Sequence, residues 1–323
     1  CARRVSCDCG RPIRFNRGKP MPLPSVTVLM TVYNGMPYLK EAVRSVFEQD
    51  MKDFTFLVLN NGSTDGSGEF LAELESQRAG SLPPLQIRHL PENIGRTAVL
   101  NKGLELVETE ITAIIDADDL AMPRRIETLA AFFRDHPDVD LVGSDVIYID
   151  RTGNQIGEER FPANHRELCD RLPLYNQFAH AACAFRTRAA RAAGGYPAAY
   201  PYAQDLGLWV AMLQGGGKAA SIQAPLAGIR VHPGQATRDL ALLMVRTEDN
   251  HRLAEAMLGI PDLSPAARQA ARFRSAQALM RLVRRKQALV QLWRGIKEAP
   301  LLLPFNPILW SRLAMECKRR FRR

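Results

Sequence analysis

Three carboxylates lie within four residues in the segment Asp116-Ala117-Asp118-Asp119, directly after an apolar run. Carboxylates this close repel one another unless a cation or solvent screens them. Because the end of a buried strand is only partly solvated, the spacing favours a hard divalent ion, Mg²⁺ or Mn²⁺, which one or two carboxylates hold together with substrate phosphates. A turn in which Asp118 or Asp119 caps the next helix would explain the same residues.

The elements that must position this cluster alternate between strand and helix. Short β-branched runs predict buried strands, and amphipathic stretches predict the helices between them. We predict strands at 26–32, 54–59, 85–90 and 111–115, and helices at 38–49, up to 77, at 97–107 and at 123–134. This alternation implies a parallel sheet with right-handed crossovers, in which ligands bind beyond the carboxyl ends of the strands. The segments 31–34, 60–65 and 116–119 all fall there.

The pattern changes after residue 134. We predict short strands near 140–149, 155–160 and 181–186, a helix at 205–213 and an extended run at 222–231, which complete the same domain. From residue 239 onward the chain is predicted to be helical, with breaks near 259–265 and 300–307. We therefore divide the chain into a basic lead (1–24), an α/β domain (25–238) and a helical basic region (239–323).

Charge follows the same division. The net charge of the 323 residues is +9, but residues 268–323 carry +13, residues 1–20 carry +5 and residues 21–267 carry −9. A protein that binds nucleic acid usually carries its basic residues on the folded face, so this distribution argues against a nucleic-acid partner. Basic ends around an acidic body indicate instead a tail that touches an anionic surface, such as a membrane. Apolar residues at 46% and charged residues at 24% exclude wholesale disorder.

No segment is predicted to span a membrane. The charge-free run 299–311 is shorter than the roughly 20 residues needed and contains three prolines. No apolar stretch follows the early arginines as it would in a secretory signal, so we expect a cytoplasmic protein, with peripheral binding to the inner face of the membrane as an alternative. The six cysteines are too few for a disulfide scaffold, and Cys7-x-Cys9 has no second pair at zinc-ligand spacing.

Seven motifs follow one another between residues 25 and 235. They are 28–35, 57–65, 93–95 with 98–103, 115–119, Gly194-Gly195-Tyr196, Gln204-Asp205 with Leu208-Trp209, and Arg230-Val231-His232. In this order and spacing the chain resembles the family 2 glycosyltransferases. The resemblance implies the GT-A fold, an α/β architecture with a Rossmann-like, mostly parallel sheet flanked by helices, here followed by a C-terminal helical appendage. It also implies an inverting, metal-dependent hexosyltransferase that moves a sugar from a nucleotide-diphosphate sugar, UDP favoured, to an acceptor hydroxyl. The expected setting is cell-surface polysaccharide or glycolipid synthesis, with a saccharide or lipid-linked acceptor.

The resemblance also implies a role for individual residues. It assigns to nucleotide-sugar binding Thr31, Tyr33, Asn61, Arg96, Asp116, Ala117, Asp118, Gly194 and Gly195. It assigns Asp116, Asp118 and His232 to the metal ion, and Asp205 to the base that accepts the proton of the attacking hydroxyl. The chain departs from the family pattern at Gln204, where Glu is usual, and at Asn61, where many relatives carry Asp.

Plain structural readings stay open for several of these residues. Arg96 can be an exposed arginine at a helix start, Asp205 an N-cap, and Gly194-Gly195 a tight turn. Two other functions are also considered. A sugar-phosphate nucleotidyltransferase would need a glycine-rich loop with a basic residue after the first strand, which Tyr33-Asn34-Gly35-Met36 does not provide. A non-catalytic nucleotide-sugar-binding scaffold would not need Asp116, Asp118, Asp205 and His232 together.

The C-terminal region carries its own alternative. Apolar residues such as Phe273, Leu279 and Trp293 alternate with arginines after residue 268, which predicts one or two basic amphipathic helices. Such helices either pack on the domain or lie on an anionic membrane. In the membrane alternative, Leu301–Trp310 adds shallow apolar insertion.

Overall fold

The computed structural model describes residues 22–298, except residues 79, 81, 234–242 and 283. Within them, one mixed sheet contains β1 (Val26–Val32), β2 (Thr55–Asn61), β3 (Leu85–Leu90), β4 (Ile111–Ile114), β5 (Leu120–Ala121), β6 (Leu141–Ile149), β7 (Gln155–Glu159), β8 (Ala184–Arg186) and β9 (Ala219–Arg230). The helices are α1 (Leu39–Phe47), α2 (Ser67–Gln77), α3 (Arg96–Leu106), α4 (Arg125–Asp135), α5 (His165–Arg171), α6 (Thr187–Ala192), α7 (Gln204–Gln214), α8 (Leu243–Met257), α9 (Pro265–Arg281) and α10 (Arg285–Glu298).

The sheet is parallel where the sequence predicts it to be. Its strand order is β3-β2-β1-β4-β8-β6-β9-β5, with β7 beside β6. The four strands β1 to β4 pair in parallel, whereas β8 runs antiparallel to both β4 and β6. The carboxyl ends of β1, β2 and β4 therefore meet at one edge, and the segments that follow them lie side by side.

Successive residues of the central strands face opposite layers of helices. Leu29 and Leu57 pack into one apolar cluster with residues of α3, α5 and α7, such as Leu208. Val28 and Val58 pack into the other cluster with residues of α1, α2 and α4. Both faces are buried, which is why these strands are continuously apolar rather than alternating.

The predicted elements of the first 135 residues are confirmed, with boundaries that differ by at most two residues. Later elements differ more. The run predicted as a strand from residue 181 begins with a 3₁₀ turn at His180–Ala182, and β8 is only three residues long. The short elements α5, α6 and β5 were not predicted, because none of them spans enough residues to show a periodic pattern.

The C-terminal helices pack on the α/β domain and on one another. The apolar side of α9 is buried, including Ala267, Ala271 and Leu279, and α9 contacts both α8 and α10. The predicted break near residue 260 is confirmed, and a second break separates α9 from α10. The predicted break at 300–307, the apolar segment Leu301–Trp310 and the cysteines Cys1, Cys7 and Cys9 lie outside the described residues. None of the helices in the described part of the chain is long and apolar enough to cross a membrane.

Candidate active site

A cleft of about 1410 Å³ lies at the carboxyl edge of the parallel strands. Its walls come from the loops after β1, β2 and β4, from the start of α3 and α7, and from α8 and α9. Of the residues that the sequence assigns to function, the lining includes Thr31, Tyr33, Asn61, Arg96, Asp116, Ala117, Asp118, Asp205 and His232. The fold therefore brings together side chains that are up to two hundred residues apart in the chain.

The loop after β1 is fixed by side chains from the loop after β2. Backbone N–H groups of Asn34, Gly35 and Met36 donate to Ser63 Oγ, Ser67 Oγ and Asp65 Oδ2 at 2.9–3.0 Å. The bonds to Met36 and Ser67 lower the pKa of Asp65 in spite of its partial burial, so this carboxylate stays charged. The two loops form one rigid rim, from which the Tyr33 ring projects with half of its surface exposed.

Asn61 is almost fully buried at the end of β2. Its carbonyl oxygen accepts the N–H of Ile94 at 3.0 Å, and its amide donates to Asn93 Oδ1 at 2.9 Å. Both ends of this side chain therefore hold the loop that leads into α3. The role of Asn61 at the nucleotide base stays a prediction.

Asp116 is held between two cationic or polar partners. Its Oδ2 lies 3.3 Å from Arg96 Nη2, and its Oδ1 lies 3.2 Å from His180 Nδ1. Burial alone would raise the pKa of Asp116, but the charge of Arg96 and the contact with His180 lower it well below its ordinary value. The other ring nitrogen of His180 lies 3.2 Å from the hydroxyl of the buried Tyr196, which fixes the imidazole.

Asp118 and His232 face each other from two different strand ends. His232 Nε2 lies 2.9 Å from Asp118 Oδ2. The neighbouring Arg230 has a fully buried guanidinium, which donates to the carbonyl of Asp118 at 2.9 Å and to Glu41 Oε2 at 2.6 Å. Arg230 thus fixes the segment that carries Asp118 to the strand that carries His232.

A second buried arginine lies beneath the acidic segment. Arg125 is almost fully buried and donates to the carbonyls of Ile114 and Cys183. Burial lowers the pKa of Arg125 to about 10, so the guanidinium remains charged at neutral pH.

Asp119 is buried too and accepts the N–H of Arg230 at 2.8 Å. Burial and the neighbouring carboxylates raise the pKa of Asp119 well above the ordinary value. Asp119 is therefore a structural member of the cluster.

Asp205 lies in the first turn of α7, and its side chain points into the cleft. Asn176 Nδ2 donates to Asp205 Oδ2 at 3.0 Å, and Asn176 Oδ1 accepts the N–H of Phe178, which fixes this amide. When the amide of the adjacent Gln204 is oriented to satisfy both neighbours, its oxygen accepts from Arg96 Nε at 3.0 Å and its nitrogen donates to the carbonyl of Tyr202 at 2.9 Å. Arg96 therefore bridges Asp116 and the start of the helix that carries Asp205.

Gly194 and Gly195 lie outside the lining of the cleft. Both have positive φ, at 89° and 72°. A Cβ at Gly195 would lie 2.6 Å from Asn101 Oδ1, which accepts the N–H of Tyr196 at 2.7 Å. The structure uses these glycines in a turn that places Tyr196 against His180; their assignment to the donor sugar stays a prediction.

The helix α8 reaches the loop in front of Asp205. Asp249 is buried and accepts the N–H groups of Tyr202 and Ala203 at 2.9 and 3.1 Å, so it caps α7 from another part of the chain. Sequence reasoning missed this contact, as it missed the roles of His180, Asn176, Glu41 and Arg125. No local pattern marks these residues, because each acts through a partner that is distant in sequence.

A model of one protein family matches residues 27–193, and it describes glycosyl transferase family 2. The chain belongs to this family. Over 140 residues it is 35% identical to an uncharacterized glycosyltransferase, MJ1057, of Methanocaldococcus jannaschii, a match that covers 43% of this chain and 47% of that protein. Over 206 residues it is 28% identical to the amylovoran biosynthesis glycosyltransferase AmsE of Erwinia amylovora, which covers 63% of this chain and 75% of AmsE.

Solved structures confirm the predicted GT-A fold. TarS 1–349 of S. aureus in complex with UDP-GlcNAc superposes with a TM-score of 0.62 at 15% identity, and the match covers 92% of each chain. The mannosyltransferase PcManGT of Pyrobaculum calidifontis, in complex with GDP-Man and Mn²⁺, gives a TM-score of 0.58 at 20% identity over 94% of this chain and 83% of that one. At these identities the similarity establishes the fold of this glycosyltransferase but not its substrates.

Proposed function

We propose that this glycosyltransferase moves a sugar from a nucleotide-diphosphate donor, a UDP-sugar first, to an acceptor hydroxyl with inversion of configuration. One observation carries the proposal: Asp116, the Asp118–His232 pair and Asp205 converge on one cleft, with Arg96 between them. A carboxylate pair on the donor side and a separate carboxylate on the other side match the needs of this reaction. The two comparison structures with UDP-GlcNAc and GDP-Man support a nucleotide-sugar donor.

On the donor side, the diphosphate must be bound and its developing charge stabilised. The Arg96 side chain is 46% exposed and already lies at the acidic segment, and its guanidinium can donate charge-assisted hydrogen bonds to diphosphate oxygens. The rigid rim from which Tyr33 projects would hold the nucleoside.

A divalent ion fits the donor set. The proposed ligands are Asp116, Asp118 and His232: Asp118 and His232 are already in contact, and Asp116 lies beside Arg96 and His180. Mg²⁺ or Mn²⁺ commonly takes further ligands from substrate phosphates and water. In the described residues no three acidic, histidine or cysteine side chains are grouped closely enough to form a complete metal site, so the diphosphate would supply part of the coordination. When bound, the ion would neutralise charge on the leaving diphosphate as a Lewis acid.

On the acceptor side, Asp205 accepts the proton. The acceptor oxygen forms a bond to the anomeric carbon as the bond between that carbon and the diphosphate breaks, and the hydroxyl proton moves to Asp205. The nucleoside diphosphate leaves with the electron pair. Asn176 keeps one carboxylate oxygen fixed, which leaves the other available to the hydroxyl.

The biological setting is a proposal as well. AmsE is named for amylovoran biosynthesis and WbnJ of Escherichia coli for O-antigen biosynthesis, which supports a surface-polysaccharide or glycolipid acceptor here. An anionic membrane surface remains part of the proposal, but only for α10 and the residues after it, because α9 is packed against the domain. On α10, Leu289 and Trp293 are 63% and 57% exposed, and Lys297 Nζ lies 3.6 Å from the Trp293 ring centroid.

Sedimentation with vesicles tests the membrane proposal in the full chain. The protein should bind phosphatidylglycerol vesicles and not phosphatidylcholine vesicles, and the double variant Leu289→Gln, Trp293→Gln should bind less. Equal binding of the variant and the wild-type protein would refute a role for α10.

Calorimetry with UDP, GDP and dTDP, each with and without Mn²⁺, tests the donor proposal. UDP should bind with Mn²⁺ and lose most of its affinity in excess chelator, and Asp118→Asn should lose the metal-dependent part. Asp138→Asn, in an exposed carboxylate outside the cleft, is the matched control. If UDP affinity were undiminished in excess chelator, the metal role would be refuted. If none of the three nucleotides bound, the proposal of a nucleotide-sugar donor would be refuted.

A further inference from the structure

Arg96 lies between the donor side of the cleft and the helix that carries Asp205. Its Nη2 lies 3.3 Å from Asp116 Oδ2, and its Nε lies 3.0 Å from the side-chain amide of Gln204. Its third nitrogen, Nη1, donates to no group within the described part of the chain. Because the side chain is partly exposed and lines the cleft, this nitrogen is open to a ligand there.

The orientation of the Gln204 amide follows from its two neighbours. Arg96 Nε can only donate and the carbonyl of Tyr202 can only accept, so the amide oxygen faces Arg96 and the amide nitrogen faces Tyr202. The Gln204 side chain is almost fully buried at the start of α7. Since both ends of the amide are bound, its oxygen stays directed at the guanidinium, and the guanidinium stays directed at Asp116.

The contact with Gln204 differs from the other interactions of Arg96 because it is neutral. The carboxylates of Asp116, Asp205 and Asp118 all attract the guanidinium. A glutamate at position 204 would add a fourth carboxylate, at hydrogen-bond distance. Such a carboxylate would compete with a diphosphate for the same cation, whereas an amide oxygen fixes the direction of the guanidinium and leaves its charge to the ligand.

We propose that Gln204 is a positioning residue for the donor: its neutral amide orients Arg96, so that the charge and the open Nη1 of this arginine serve the diphosphate. The planar guanidinium is suited to bind two phosphate oxygens at once. This inference rests on the proposed function for the diphosphate donor. Position 204 should therefore control what the phosphates contribute to donor affinity and not what the nucleoside contributes.

The probes are UDP and inorganic pyrophosphate, titrated by calorimetry, and uridine, titrated by ligand-observed NMR, each with Mg²⁺ and the full chain. Uridine lacks the phosphates and pyrophosphate lacks the nucleoside, so the two parts of the donor are measured separately. Gln204→Glu should weaken UDP and pyrophosphate about tenfold and leave uridine unchanged, as expected when hydrogen bonds from a charged donor are lost. Gln204→Met adds no charge and removes only the orientation of Arg96, so it should weaken the two phosphate probes less.

A double-variant cycle tests whether the effect passes through Arg96. In the Arg96→Gln background, Gln204→Glu should cause no further loss of UDP affinity. Gln214→Glu makes the same change at the other end of α7, in an exposed side chain outside the cleft, and is the control for net charge. This control should bind UDP as tightly as the wild-type protein does.

Four results would overturn the proposal: undiminished UDP affinity in Gln204→Glu, an equal loss of uridine affinity, the same loss of UDP affinity in the Arg96→Gln background, or an equal effect of the control. An equal loss of UDP and uridine is what a residue that only holds the start of α7 would give. Should Gln204→Glu not fold, the same comparison of UDP with uridine in Gln204→Met decides. Pyrophosphate binding that depends on position 204, in a protein that binds no nucleotide, would leave the orientation of Arg96 standing and refute the proposed nucleotide-sugar donor.

Discussion

Replacing Asp205 by Asn removes the charge of the proposed base and keeps its shape. In the wild-type protein Asp205 Oδ2 accepts from Asn176 Nδ2 at 3.0 Å. The carboxamide oxygen of Asn can accept the same bond, so the helix start and the cleft should be unchanged. The variant therefore isolates one property, the ability to take a proton from the acceptor.

The expected effect on transfer is large. Loss of a general base typically lowers the rate about 10²–10⁴-fold, which corresponds to about 2.7–5.5 kcal/mol in the barrier. Donor binding should respond differently. The carboxylates of Asp116 and Asp205 both attract the Arg96 guanidinium, so removing one of these charges leaves it more available to a diphosphate. We expect nucleotide affinity to be unchanged or slightly higher.

Two measurements on the same preparation separate these effects. Transfer is followed as release of nucleoside diphosphate in the presence of acceptor, and UDP affinity is measured by calorimetry with Mn²⁺. Asp138→Asn again serves as the control in an exposed carboxylate. A variant with full transfer activity, or one that loses UDP affinity as strongly as transfer, would refute the assignment of Asp205 as the base.

Three further outcomes are expected. Arg230→Met should lower the free energy of unfolding by about 3 kcal/mol, which is the lower end of the range for breaking a buried ion pair, because its partner Glu41 is 38% exposed. In the same melting experiment the control Arg188→Met, in an exposed arginine of α6, should have little effect. Asn61→Asp should sharpen the preference for uridine. It should also cost about 1 kcal/mol of stability, because a carboxylate oxygen would then face Asn93 Oδ1. A lowered melting temperature with an unchanged nucleotide preference would limit the role of Asn61 to holding the loop before α3. Burial raises the pKa of Cys169 to about 12, so iodoacetamide at pH 8 should label this thiol only after unfolding, and labelling in the native protein would contradict its burial. Because the thiol ionises first in the unfolded protein, Cys169 should lower the free energy of unfolding as the pH rises from about 8.5 toward 12.

The first half of the fold could be predicted because three of its strands, β1, β2 and β4, are buried on both faces. Runs such as 26–32 and 111–115 are almost entirely apolar and β-branched, and turn residues bound them, so their type and order are clear from composition alone. The helices α5 and α6 have seven and six residues, too few for a helical period to appear. Asn164 caps α5, but such a cap is also common in turns.

The residues of the candidate site also differ in how well the sequence predicts them. Asp116, Asp118, Asp205 and His232 stand in local motifs, and the structure places them in one cleft. The residues that hold them have no such signal. His180 reaches Asp116 across 64 residues, and Arg230 reaches Glu41 across 189, so only the completed fold pairs them.

The cap that Asp249 provides for α7 has a consequence for how this enzyme could be divided or recombined. A fragment that stops at the predicted boundary near residue 238 would keep Asp116, Asp118 and His232. It would lose Asp249, which accepts the backbone N–H groups of Tyr202 and Ala203 in the loop before Asp205. Exchanging the C-terminal helices between relatives would likewise change one wall of the cleft and the support of the Asp205 helix at the same time, because α8 lines the cleft and carries Asp249. The shape of the cleft and the position of Asp205 therefore depend on one helix.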